Sequence, residues 1–244
     1  MAELRRLHAA ELPREGGDVK LSADSARHAQ VLRLRVGDRV CLFDAAGLEA
    51  DAEITHAHRD TMTCRAEPPR ATPEPAHKLT LVLGVPKAPK LEPIVRMTTE
   101  LGVHALRLAH SERSVPKLSS DSPKLERLRR VAREACAQSG QARALEIVAP
   151  EPLFHVAQQA PAGAARVVFY ENATLSLERA LVGLSPASLA DVWAVVGPEG
   201  GLDIAEVEAL VQLGYRQVGL GEGILRVDTA AVVASALLLD RMRR

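Results

Sequence analysis

The sequence predicts an α/β fold with a largely parallel sheet, preceded by a smaller β-rich unit. Three observations carry that prediction. From residue 79 onward, apolar runs of strand length alternate with segments of helical period, the order of a βαβ chain. The runs Leu79–Val85, Arg166–Tyr170 and Val192–Val196 are apolar nearly throughout, as in strands covered on both faces. Between the two regimes lies Glu67–Pro75, where four prolines in nine residues make a stiff, extended connection. The division is therefore placed at residues 1–72 and 73–244.

In the first part, Ser22 is an N-cap for a short helix over Ala23–Arg33, with Val31, Leu32 and Leu34 as its apolar contacts. Val36-Gly37-Asp38 is a turn. Val40–Phe43 and Ala50–Thr55 are short strands about a turn at Gly47. In the second part, strand Leu79–Val85 leads to a helix over Leu91–Leu101, where Leu91, Ile94, Val95, Thr98 and Leu101 share one face. Strand Ala105–Ala109 precedes an Arg-rich helix, Ser122–Gln138, with Leu125, Leu128, Val131, Ala132 and Ala135 inward. After strands Arg166–Tyr170 and Val192–Val196, Asp203 and Glu206 form a capping-box-like pair opening helix Asp203–Leu213, and Gly214 follows as its terminating glycine. Gln217–Leu220 is a strand. The last helix, Thr229–Met242, carries alanine or larger apolar residues on nearly every side, which predicts burial all round. A core helix and a helix against a second subunit both satisfy that pattern.

Composition narrows the function. The 244 residues are 47% hydrophobic and 25% charged, enough for a real core. The longest apolar run, Ala230–Leu239, is broken by Ser235 and falls short of the ~20 residues of a membrane helix. The N-terminal MAELRRLHAAELPREGG lacks the apolar core of a signal peptide, so a cytoplasmic protein is expected. Cys41, Cys64 and Cys136 are widely spaced, indicating buried thiols rather than a metal site or a disulfide framework. Net charge is zero, but residues 86–143 hold 12 Lys/Arg against 6 Asp/Glu, while residues 144–244 hold 7 against 12. The basic middle is a phosphate footprint or a solvated helix face. Aromatic residues are 2% of the chain, so base stacking is not the main mode of any RNA contact.

Ligands of open α/β sheets sit beyond the carboxyl ends of strands. Three segments fall there: Tyr170-Glu171, Gly197-Pro198-Glu199-Gly200-Gly201 and Gly221-Glu222-Gly223-Ile224-Leu225-Arg226. The glycines allow a close backbone approach. Glu199 and Asp203 flank the second loop, no Lys or Arg lies in it, and neither GxGxxG nor GxxxxGK[ST] occurs in the chain. The acidic surroundings favour a ligand that is neutral or positive at its centre over a phosphate.

The two segments Val195-Val196-Gly197-Pro198-Glu199-Gly200-Gly201 and Leu220-Gly221-Glu222-Gly223-Ile224-Leu225-Arg226-Val227-Asp228-Thr229-Ala230 resemble the signature motifs of the RsmE family, SPOUT-class methyltransferases acting on N3 of a uridine in small-subunit ribosomal RNA. Glu100-Leu101-Gly102-Val103, Ser111-Glu112-Arg113-Ser114, Glu134-Ala135-Cys136-Ala137-Gln138-Ser139-Gly140, Val31-Leu32-Arg33, Val36-Gly37-Asp38 and Leu42-Phe43-Asp44 extend the resemblance along nearly the whole chain. It implies an N-terminal PUA-like RNA-binding β-barrel over residues 1–72 and a trefoil-knotted SPOUT methyltransferase domain over 73–244. It implies S-adenosyl-L-methionine as cofactor, no metal, and a homodimer acting on ribosomal RNA, within the assembled 30S particle. The chain departs from the family at Asp228, where Glu is frequent, at Met97, where Lys is usual, at Gln141, where a basic residue is usual, and at Ala45, where Gly is usual.

On that reading the cofactor residues are Tyr170, Glu171, Val196, Gly197, Pro198, Glu199, Gly200, Gly201, Leu220, Gly221, Gly223, Ile224, Leu225 and Thr229. Arg226 is the candidate to stabilise the negative charge that develops when the uridine imino proton leaves; the alternative for it is an ion pair with Glu199 or Asp228. Asp228 and Glu199 are the candidate bases, with helix capping or the cofactor amine as their other uses. Arg33, Asp44, Lys87, Lys90, Arg113, Lys117 and Arg143 are candidate RNA contacts, with Arg127, Arg130 and Arg133 on the basic helix. Two other functions stay open, a knotted ribose 2′-O-methyltransferase and a ribosome-assembly protein that binds RNA without catalysis.

Overall fold

The computed structural model describes residues 4–58, 60–114 and 118–244. The chain forms two compact units, residues 1–74 with 133–144, and residues 75–132 with 145–244.

The first unit contains β1 (Arg5–His8), β2 (Gly17–Lys20), α1 (Ala23–Val31), β3 (Arg39–Phe43), β4 (Leu48–His58), β5 (Thr61–Ala66) and β6 (Arg70–Ala71). Its sheet runs β1-β3-β4-β5-β2, with β6 on β4. Leu7, Val40, Leu42, Ile54 and Met62 fill its core. Ser22 caps α1 as expected, its hydroxyl accepting from the Ser25 N–H at 3.2 Å. The helix stops at Val31, because Arg33 takes a left-handed φ of 59°. Val31 is 79% exposed, so it is not the apolar contact its sequence position suggested; Leu32 and Leu34 pack on the core instead. The proline-rich connection is not free of the sheet, since Arg70–Ala71 pairs with Leu48–Glu49. Residues 133–144 belong to this unit through identifiable bonds. Arg143 donates to the Ala46 and Thr72 carbonyls and pairs with Glu74 at 2.9 Å. The Gln141 carbonyl accepts from Arg6 and from the Cys136 thiol, each at 2.9 Å.

The second unit contains β7 (Lys78–Gly84), α2 (Ala88–Leu101), β8 (Ala105–His110), β9 (Glu146–Pro152), β10 (Ala165–Phe169), β11 (Asp191–Val196) and β12 (Arg216–Val218) as its sheet and first helix. Helix α3 (Pro123–Ser139) contributes residues 123–132 to this unit and its remainder to the first, and the short helices α4 (Leu153–Gln158), α5 (Leu177–Leu181) and α6 (Pro186–Leu189) with the longer α7 (Ile204–Gln212) and α8 (Val227–Met242) complete the helices. The sheet is parallel throughout, in the order β12-β10-β11-β7-β8-β9. The chain builds β7, β8 and β9 outward in one direction, then returns to place β11 between β7 and β10. Crevices at such reversals are where open α/β sheets bind ligands. The α3 residues Leu125, Leu128, Val131, Ala132 and Ala135 are all buried. Both capping-box bonds of α7 form: Asp203 accepts from the Ala205 N–H at 3.1 Å, and Glu206 accepts from the Asp203 N–H at 2.8 Å.

One expectation fails here. Helix α8 is not buried all round: it packs on α2, β7 and β11, while Thr229 and Asp240 are exposed and Leu237 is 45% exposed.

Candidate functional site

The loops that leave β10, β11 and β12 converge with the start of α8 on a cavity of about 390 Å³. This lies within the ~300–1,000 Å³ of small-ligand sites. Of the residues expected to hold a cofactor, Tyr170, Glu171, Val196, Gly197, Pro198, Glu199, Gly200, Gly201, Leu220, Gly221, Gly223, Ile224 and Leu225 line it. Thr229 stands in the first turn of α8, exposed and away from the lining. Phe169, Leu202, Val227, Ala230 and Lys90 also line the cavity. The first four flank expected positions and follow from strand and helix geometry; Lys90 comes from a distant helix that no motif links to the loops. A larger cavity, about 910 Å³, lies beside α7 near His110 and Phe154 and contains none of the glycine loops.

The glycines divide into two kinds. A Cβ on Gly197, Gly200 or Gly201 would meet Leu202, Arg113 or Glu171 at 3.0, 2.9 and 2.9 Å. These three therefore let the loop fold against its own protein. Gly221 and Gly223 have nothing within 4 Å on that side and leave backbone open to a ligand. At Gly84, the last residue of β7, a Cβ would lie 2.5 Å from Pro198 Cδ, so this glycine seats the loop after β11 against the neighbouring strand.

The charged groups are mostly committed. Both Glu199 oxygens accept from the Lys87 backbone N–H, at 3.0 and 3.2 Å. Asp228 does not line the cavity; its Oδ1 accepts from Lys90 Nζ at 3.1 Å. That hydrogen bond, ahead of the charges of Lys90 and Arg226, holds the Asp228 carboxyl below its ordinary pKa. The exposed Arg226 guanidinium lines the cavity and pairs with neither Glu199 nor Asp228 among the described residues.

The candidate RNA contacts scatter. Arg113 donates to the Gly200 carbonyl at 3.1 Å and to Asp203 at 3.0 Å, bracing the loop after β11. The Lys87 side chain is exposed. In the first unit, Asp44 accepts from the Ala46 and Leu48 N–H groups at 2.7 and 2.9 Å and so shapes a turn. Arg143 is engaged as described above, and Arg33 is exposed. Lys117 lies outside the described residues. On α3, Arg127 pairs with Glu92 at 2.7 Å. Among the described residues there is no group of three His, Cys, Asp or Glu side chains placed to hold a metal, and no helix long and apolar enough to cross a membrane.

A parallel sheet with a glycine-built cavity at its reversal, lined also by an arginine without an ion-pair partner among the described residues, defines a ligand-binding α/β protein joined to a small β unit. Comparison with known proteins gives the class. Residues 72–239 match the family profile of an RNA methyltransferase domain, and residues 21–67 match that of an RNA methyltransferase PUA domain. The chain belongs to the ribosomal RNA small subunit methyltransferase E family. It is 33% identical to the protein of that name from Mycobacterium bovis, over 91% of this chain and 86% of the relative. It is 31% identical to that of Bacillus subtilis, over 90% and 89%. A crystal structure of ribosomal RNA small subunit methyltransferase E from Neisseria gonorrhoeae, bound to S-adenosyl methionine, has the same fold, with a TM-score of 0.87 at 24% identity and 98% coverage of both chains.

Proposed function

We propose that this chain methylates N3 of a specific uridine in small-subunit ribosomal RNA, with S-adenosyl-L-methionine as methyl donor. The observation that carries the reading is the cavity itself. Open glycine backbone at Gly221 and Gly223 lines it together with a loop fixed by protein contacts and with Arg226, which has no ion-pair partner among the described residues. The donor fits the groups present. Apolar walls at Val196, Leu202, Ile224, Leu225 and Val227 suit an adenine ring, and the acidic Glu171 and Glu199 suit a cationic centre better than a phosphate. When bound, the donor supplies an activated methyl group. The chain's own residues would orient it through loop backbone, exclude water with the apolar wall, and oppose the charge on the uracil oxygens with Arg226. A knotted path of the chain, a homodimer covering the exposed apolar residues of α8, and an assembled 30S particle as substrate belong to the same reading, as does a cytoplasmic site of action. The PUA unit would contribute RNA contact outside the cavity.

The test is methyl transfer to small subunits isolated from cells lacking this gene, followed by nuclease digestion and mass detection of the nucleoside. N3-methyluridine is expected. Methylation of a ribose 2′-hydroxyl would transfer the protein to the other knotted class, and absence of cofactor binding at millimolar concentration would make it an RNA-binding assembly protein.

A further inference from the structure

Three carboxylates stand at or beside the cavity, Glu171, Glu199 and Asp228, and the two candidate bases among them are each hydrogen-bonded at the start of α2. Both Glu199 oxygens share the single Lys87 N–H. Asp228 is held in its charged form by Lys90. A base gains from a pKa raised toward the working pH, and this one is moved the other way. The cations are disposed differently. Arg226 lines the cavity and its guanidinium has no ion-pair partner among the described residues. Lys90 also lines the cavity, and an ammonium has three donors, of which Asp228 takes one. The pair is partly shielded, with side-chain exposures of 28% for Lys90 and 35% for Asp228, so its charges are less screened than at an open surface.

We propose that Lys90 is a catalytic residue, a second cation that acts with Arg226 to acidify the target imino N–H, and that Asp228 is a positioning residue that aims Lys90 rather than the base. The proposal rests on the uridine-N3 reading. Positive charge near an acid favours its anion and lowers its pKa. The imino proton then passes to water without a protein carboxylate. The N3 lone pair forms the new bond to the methyl carbon as the carbon–sulfur bond breaks, its electron pair remaining on sulfur. The charged groups around the pair are Lys87 and Lys90 at the start of α2, Arg226 and Asp228 at the start of α8, Glu199 after β11 and Glu171 after β10; Glu222, in the loop after β12, does not line the cavity. Glu92, further along α2, is taken by Arg127. The strands packed against α8 carry Lys78 and Asp191 at their opposite, amino ends.

Single-turnover rates on undermethylated small subunits, followed from neutral to alkaline pH, test this. The wild-type rate should rise to a plateau. Lys90→Gln should lose about a hundredfold at neutral pH, the scale of one lost donor at a developing anion. Its rise should move to higher pH, because the imino group is no longer acidified, and most of the rate should return there. Lys90→Arg should keep the wild-type profile. Asp228→Asn should shift the profile in the same direction by less, and Asp228→Glu should restore it. Calorimetry should find S-adenosylmethionine bound by Lys90→Gln within about threefold of wild type, about 0.65 kcal/mol. A Lys90→Gln loss equal at every pH, or a cofactor affinity reduced tenfold or more, would overturn the proposal. So would an Asp228→Asn enzyme down by the ~10²–10⁴ of a missing base at all pH values. The nucleoside analysis separates the two failures, since a wild-type product other than N3-methyluridine removes the proposed function itself.

Discussion

Replacing Gly84 by alanine adds one methyl group where the structure has no room for it. Its Cβ would stand 2.5 Å from Pro198 Cδ, 2.7 Å from Pro198 N and 3.1 Å from Gly197 C. Unstrained carbon contacts lie near ~3.5–4.0 Å, so the loop after β11 must retreat by about 1 Å. Two of the three clashing atoms are backbone, and the third is a ring atom of proline, so no rotamer change relieves the contact. The backbone angle at Gly84 is an ordinary one, which makes the perturbation purely steric. Overpacking of this kind costs roughly 1–3 kcal/mol. At about 2–4 °C per kcal/mol for a chain of this size, a loss near 2 kcal/mol lowers Tm by roughly 4–8 °C. The same retreat moves Gly197–Gly201 in the cavity wall, so the Kd for S-adenosylmethionine should rise at least about tenfold, or 1.4 kcal/mol. Gly223→Ala is the control. No atom lies within 4 Å of its Cβ, so Tm should not move, and any loss of affinity reports a ligand passing over that residue. Scanning calorimetry and titration calorimetry read both quantities. A Gly84→Ala protein with wild-type Tm and wild-type Kd would refute the claim that this contact sets the loop.

Three further outcomes follow. Arg113→Ala removes the brace between the loop and the start of α7; with the side chain 48% exposed, about 1 kcal/mol of stability should go, and the Kd for S-adenosylmethionine should rise about fivefold. Ser22→Ala removes the α1 cap and should cost about 1 kcal/mol in denaturant unfolding without changing cofactor affinity. Burial pushes the Cys136 thiol up to about 12, so at pH 8 it stays protonated and a thiol reagent should modify it only after denaturant is added.

The sheet was largely readable because its central strands are apolar runs that nothing polar interrupts. The capping pair Asp203 and Glu206 fixed the start of α7 to within a residue. β9 was missed: Glu146–Pro152 holds two prolines and two glutamates, a composition tolerated only at a sheet edge, where it lies. The short helices α4, α5 and α6 span six residues or fewer, too few to express a helical period. In the cavity, the loops were legible because glycine and proline punctuate strand ends. The reasons for the glycines were not, since sequence does not show that Gly200 faces Arg113 while Gly221 faces open space. Nor did it show that Lys90 and Asp228, 138 positions apart, form a pair. Arg113 and Arg143 read as candidate RNA contacts, yet both donate to backbone carbonyls, a use that leaves no mark on local pattern.

The bonds from residues 133–144 into the first unit bear on the order in which the chain is made. Arg143 holds the turn at Ala46 and Gly47, and its guanidinium occupies the space a Cβ on Gly47 would need. As the polypeptide leaves the ribosome, the β unit therefore waits for the latter part of α3 before its last bonds close, and β7, α2 and β8 emerge in the meantime. A fragment cut at residue 72 would leave Arg6 without the Gln141 carbonyl and the Ala46 turn without its clamp. One carrying residues 133–144 on a short linker should regain both.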